Sequence, residues 1–105
     1  MVTFHIDLPM DAIRDFCQRW KIREFALFGS VLRDDFRPDS DIDVLGSFAE
    51  DAPWSLLDHV RMQDELSSLL GRKVDLISRR GIEQSENYLR KRAILSSAEV
   101  IYAAA

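Results

Sequence analysis

Three short strand-like runs, the second and third separated by a long stretch of helical periodicity, constrain this chain more than any other feature. Glu24-Phe25-Ala26-Leu27-Phe28 is almost continuously apolar and is closed by Gly29, the pattern of a strand covered on both faces. Asp41-Ile42-Asp43-Val44-Leu45 alternates, so that Asp41 and Asp43 share one face and Ile42 and Val44 the other. Lys73-Val74-Asp75-Leu76-Ile77 reads as a third strand by the same test. Pro9 with Ile13, Phe16, Cys17 and Trp20 predicts an amphipathic helix over 9–20. Pro53 opens a longer helix over 53–70, whose apolar stripe runs through Leu56, Met62, Leu66, Leu69 and Leu70 and which Gly71 stops. A short segment over 31–34 follows Gly29-Ser30, and the polar stretch 35–40 forms a loop. Ile82, Leu89 and Ala93 mark a last helix before the β-prone Glu99-Val100-Ile101-Tyr102. The predicted order is αβαβαβαβ. It belongs to the α/β (α+β) class, a small mixed β-sheet with helices packed against it.

A chain of 105 residues, 47% of them apolar, has room for one domain over 1–105 with a real core. Its net charge of -4 argues against a broad electrostatic footprint for nucleic acid or an anionic membrane, so any polyanion contact should be local. Cys17 is the single cysteine, and the first ten residues carry neither a basic leader nor a long apolar core. The expectation is therefore a reduced, cytoplasmic protein. No apolar run approaches the roughly 20 residues that span a bilayer.

The chemistry concentrates in the acids. Two aspartates alternating out of one strand place like charges side by side, and something must offset their repulsion. A hard divalent cation such as Mg²⁺ prefers oxygen donors and binds through a few carboxylates together with substrate phosphates. Asp75, on a separate strand, could complete such a set as ligand or base, in the manner of two-metal phosphoryl transfer with two Mg²⁺ ions. Gly29 and Ser30 turn the chain out of an apolar strand, where free backbone N–H groups favour a phosphate and glycine permits close approach. The Ser30 hydroxyl adds a donor, and Arg33 could pair with phosphate oxygens or with Asp34, Asp35 or Asp39. Gly-Ser after one strand, Asp-x-Asp on the next and a lone Asp in a third make one consistent geometry.

The segments FGSVLRDDFRPDSDIDVL and GRKVDLIS resemble the minimal nucleotidyltransferases of the DNA polymerase β superfamily, over about residues 22–102. Within it the chain is most similar to the short MNT-domain antitoxins that are paired with HEPN-domain ribonuclease toxins. The resemblance implies a nucleotidyltransferase fold and Mg²⁺-dependent transfer of AMP from ATP to a toxin tyrosine. It also implies that Gly29 and Ser30 bind phosphate and that Asp41, Asp43 and Asp75 are the metal and catalytic acids. Two other readings stay open: an antitoxin acting by stoichiometric binding, and the catalytic half of a split small-molecule nucleotidyltransferase. The protein acceptor is preferred because nothing follows Tyr102 that could build a second, substrate-enclosing domain.

The remaining reactive residues favour structural roles. Ser40 suits a turn, and Lys73 could touch phosphate or balance the acids. His5 and His59 have no spaced partner for metal or base chemistry. Cys17 reads as core, and Trp20 and Trp54 as packing rather than an adenine platform. The basic pair Arg79-Arg80 and the triplet Arg90-Lys91-Arg92 read as solvated helix surface.

Overall fold

The computed structural model describes residues 8–32 and 40–104. Helix α1, Met10–Arg19, buries Ile13, Phe16 and Cys17 on one face, and Pro9 stands at its N-cap instead of inside the first turn. Lys21, at φ 56°, turns the chain into β1, Ile22–Phe28. A single 3₁₀ turn, Gly29–Leu32, follows. Strand β2 is Ile42–Phe48, helix α2 Leu56–Leu70 and strand β3 Val74–Ser78. The predicted last helix is two: α3, Arg79–Glu83, and α4, Tyr88–Ser97, before β4, Glu99–Ala103.

Two local signals set these limits. Helix α2 begins at Leu56, not at Pro53, because Ser55 and Asp58 form a capping box in which each side chain takes the other's backbone N–H. It ends at Gly71, whose φ of 73° is the left-handed conformation that glycine adopts without strain. The split between α3 and α4 arises from a second cap, since the Asn87 side chain accepts from the Arg90 N–H and starts a new helix.

The sheet order is β3-β2-β1-β4. Strand β1 pairs antiparallel with β2 and β4, while β2 and β3 run parallel, so the sheet is mixed, as expected. Alternation distributes its side chains between two apolar layers. Phe25, Leu27, Ile42, Val44, Val74 and Leu76 meet Phe16 of α1 and Met62 and Leu66 of α2 on one face. Ala26, Phe28 and Leu45 meet Ile82 of α3 and Ile94 of α4 on the other. The acids of β2 and β3 must therefore emerge on the α3–α4 side. No helix among the described residues is long and apolar enough to cross a membrane.

Candidate active site

Strand pairing brings the predicted acids together. Asp43 of β2 and Asp75 of β3 are direct register partners, on strands that neighbour each other at about 4.8 Å. Both point away from Val44 and Val74, which lie in the α1–α2 core. Asp43 is half-buried and Asp75 exposed. Asp41 precedes β2, is exposed, and has Lys73 Nζ 3.9 Å from its carboxylate. Burial first, then the charges of Asp75 and Asp41, push the Asp43 carboxyl above its ordinary range, and Arg90 pulls the other way. The three carboxylates thus share one field, with Asp43 at its centre.

On the other side of β2, Phe28 pairs with Asp43, so Gly29 turns away directly beside the acid. Gly29 has φ 76°, and a Cβ placed on it would fall inside the van der Waals envelope of Asp43 Oδ2. Glycine is required here twice over, by backbone conformation and by the closeness of the carboxylate. The segment after it is one 3₁₀ turn, too short to supply a helix dipole. Any phosphate affinity must come from its backbone N–H groups directly. Ser30 enters this turn through its backbone. Arg33, together with His5 and the loop acids Asp34, Asp35 and Asp39, lies outside the described residues.

The donor chemistry suits a hard cation: three carboxylates on one sheet face, two of them in register. Among the described residues, however, no three acid, imidazole or thiol side chains are placed to hold an ion by themselves. The fit is that of an open site, in which phosphate oxygens and water would supply the rest of the shell, as Mg²⁺ commonly requires.

The other described residues mostly take the structural places expected of them. His59 Nε2 lies 2.7 Å from the Leu76 carbonyl and so orients α2 against β3. Cys17 is buried, and burial pushes its thiol up to about 12, where it is no nucleophile. Trp54 donates to the Trp20 carbonyl at 2.7 Å, and the two rings meet edge to face at 5.0 Å. A cavity of about 700 Å³ does exist, lined by Phe48, Trp54, His59, Met62, Arg80 and Glu83 among others. It lies at the ends of β2 and β3 remote from Asp43 and Asp75, since Phe48 and Ser78 close those strands. This cavity and the carboxylates are therefore separate. Arg90, read from the sequence as part of a solvated basic surface, is exposed as expected, but it also lies within electrostatic range of Asp43, a proximity the sequence reading did not foresee. Its position four residues before Ile94 on one helical stripe was the available signal.

Residues 10–101 match the family model described as the nucleotidyltransferase domain. Over 65 residues the chain is 42% identical to a candidate protein adenylyltransferase of Methanocaldococcus jannaschii, covering 62% of this chain and 64% of that protein. Over 70 residues it is 36% identical to the protein adenylyltransferase MntA of Thermococcus cleftensis, covering 67% and 69%. The match thus spans just under two thirds of the first relative and just over two thirds of the second. A solved structure of a candidate minimal nucleotidyltransferase superposes with a TM-score of 0.65 at 37% identity, covering 90% of this chain and 96% of that one. A chain of a toxin–antitoxin crystallised with AMP-PNP gives 0.70 at 19% identity, covering 92% and 75%. A chain of an MNT antitoxin complex with the tri-AMPylated HEPN toxin of Shewanella oneidensis gives 0.62 at 19%, covering 90% and 69%. At that identity the last two speak for the shared fold alone.

Proposed function

The chain belongs to the nucleotidyltransferase domain family, and on that premise we propose that it is an antitoxin that transfers AMP from ATP to a tyrosine of a HEPN-domain toxin. The observation that carries the reading is the juxtaposition of the Gly29 turn, Asp43 and Asp75 across three neighbouring strand positions. The names of the relatives point to a protein acceptor, and the AMP-PNP complex of a structural neighbour points to ATP as donor.

In this mechanism the backbone N–H groups of the 29–32 turn hold phosphate oxygens beside the acids, with the Ser30 hydroxyl and Arg33 as further contacts. Two Mg²⁺ ions held by Asp41, Asp43 and Asp75 together with the triphosphate would neutralise phosphate charge and stabilise the leaving pyrophosphate. Asp75 sits on an edge strand and is exposed, so an incoming tyrosine hydroxyl can reach it. The hydroxyl oxygen attacks the α-phosphorus in line, the bond to the β-phosphate oxygen breaks, and Asp75 accepts the hydroxyl proton. The added AMP carries negative charge and bulk onto the toxin, which disables its ribonuclease surface. A cytoplasmic setting, where ATP and Mg²⁺ are available, follows from this role.

Intact-mass spectrometry of the toxin after incubation with this protein and MgATP tests the reading. The expected result is a toxin carrying one or more AMP groups on tyrosine, and none with the Asp41→Asn, Asp43→Asn double variant. A toxin that is inhibited yet unmodified, with protection retained by the double variant, would replace catalysis with stoichiometric binding. AMP recovered on a small metabolite and on no protein would point to a split small-molecule enzyme.

A further inference from the structure

Helix α4 is docked on the acid-bearing face of the sheet through one residue, capped at its own start and tied to α3. Ile94 is buried with Ala26, Phe28 and Leu45, and Leu45 follows Asp43 by two residues on the same strand face. The Asn87 side chain accepts from the Arg90 N–H at 3.1 Å. Lys91 Nζ donates to the Glu83 carbonyl at 2.7 Å and ties α4 to the end of α3. Arg90 is one helical turn before Ile94 on the stripe that faces the sheet. Its side chain is exposed, and among the described residues its guanidinium makes no hydrogen bond or ion pair, although it lies within electrostatic range of Asp43. Its neighbours differ: Lys91 is committed to Glu83, and Lys73 stands beside Asp41.

We propose that Arg90 is a phosphate-binding residue of the active site, contacting the triphosphate of the nucleotide from the α4 side while the Gly29-Ser30 turn contacts it from the β1 side. The inference rests on the nucleotidyltransferase reading above and adds a residue to it. Its physical ground is charge balance. Three carboxylates and a polyanionic triphosphate outweigh the charge of two divalent ions, and a net-acidic chain must place its remaining positive charge locally. A guanidinium suits the task, because its planar fork engages two phosphate oxygens at once and stays charged at every working pH. A helix docked through Ile94 and tied to α3 through Lys91 presents it from a backbone that is already ordered.

Calorimetric titration of MgATP and of AMP into the wild type, Arg90→Gln and Arg90→Lys tests this without the toxin. In Arg90→Gln, MgATP binding is expected to weaken about tenfold, or about 1.4 kcal/mol, with AMP binding changed far less. Arg90→Lys should recover part of the loss. The melting temperature of the nucleotide-free variants should stay at the wild-type value, since the side chain is exposed. MgATP affinity unchanged in Arg90→Gln overturns the proposal, as does a lowered melting temperature with intact affinity, which would assign Arg90 to balancing Asp43 in the fold. Toxin modification by the wild type is scored separately, so failure of the antitoxin reading leaves the Arg90 result interpretable.

Discussion

At the scale of single residues, Gly29 and Asp43 form one unit. The left-handed φ of Gly29 and its nearness to Asp43 Oδ2 leave no space for a methyl group. Gly29→Ala should therefore cost at least about 1–2 kcal/mol for the backbone conformation and should also displace the carboxylate. A lowered melting temperature with loss of AMP transfer is the expected outcome. Asp43 carries the opposite tension. Burial and the two neighbouring acids hold its folded carboxyl above the unfolded value, so its ionised form works against folding. That penalty is present at neutral pH and is relieved as pH falls through the raised value. Asp43→Asn should accordingly raise the melting temperature at neutral pH while reducing AMP transfer more than about 100-fold, since loss of a supporting partner of a metal ligand alone costs 10–100-fold. A variant that is both destabilised and inactive would contradict this account of the site.

At the scale of elements, the caps decide where helices begin and therefore what they carry to the site. Ser55→Ala removes half of the capping box of α2 and should cost about 1 kcal/mol, or about 4–8 °C in melting temperature for a domain of this size. AMP transfer at low temperature should persist, because Ser55 lies at the end of the sheet remote from Asp43. Faster amide exchange confined to the first turn of α2 would locate the effect. The same caps explain what could be read beforehand. The strands around Ala26, Val44 and Leu76 were legible because covered strands are nearly continuously apolar and half-covered ones alternate. So was the sharing of a face by Asp41 and Asp43, whereas the register that sets Asp75 beside Asp43 was not. The division of α3 from α4 was not, because the signal is one asparagine, Asn87, whose capping bond depends on the turn before it. Arg90 was hidden for a related reason. A basic triplet on a helix looks like solvated surface until the helix is docked through Ile94 and one of its three cations comes within electrostatic range of Asp43. The remote cavity had no sequence signature, since its wall combines the end of β2, the start of α2 and α3.

At the scale of the whole molecule, acid stability should be the sum of opposed contributions. Glu65 joins α2 to α1 by pairing with Arg19, which also bonds Asp15, and by accepting from Trp20 Nε1 at 3.2 Å. Arg19, and then the Trp20 bond, hold the Glu65 carboxyl below its ordinary range. That stabilisation is complete above the unfolded glutamate value and disappears as pH falls through the lowered one. Asp43 contributes with the opposite sign over a higher window. Urea midpoints followed from neutral to acidic pH should therefore fall less steeply in Glu65→Gln than in the wild type. In Asp43→Asn the neutral plateau should rise and the acidic limb should meet the wild-type curve. Equal slopes in the wild type and Glu65→Gln would remove the α1–α2 ion pair from the account.

Strands β2 and β3 run parallel, so the chain must lay down the whole of α2 before Asp75 can arrive beside Asp43. A crossover of this kind closes more slowly than the antiparallel contacts of β1 and β2 form. During synthesis Gly29 and Asp43 leave the ribosome well before their third partner exists. The carboxylate pair is thus expected to form late in folding, and under the proposed function a newly made chain gains its nucleotide chemistry only once that crossover has closed. For a protein whose proposed duty is to restrain a toxin, the interval between translation and closure is a built-in delay, one that lengthens whenever α2 is slow to dock.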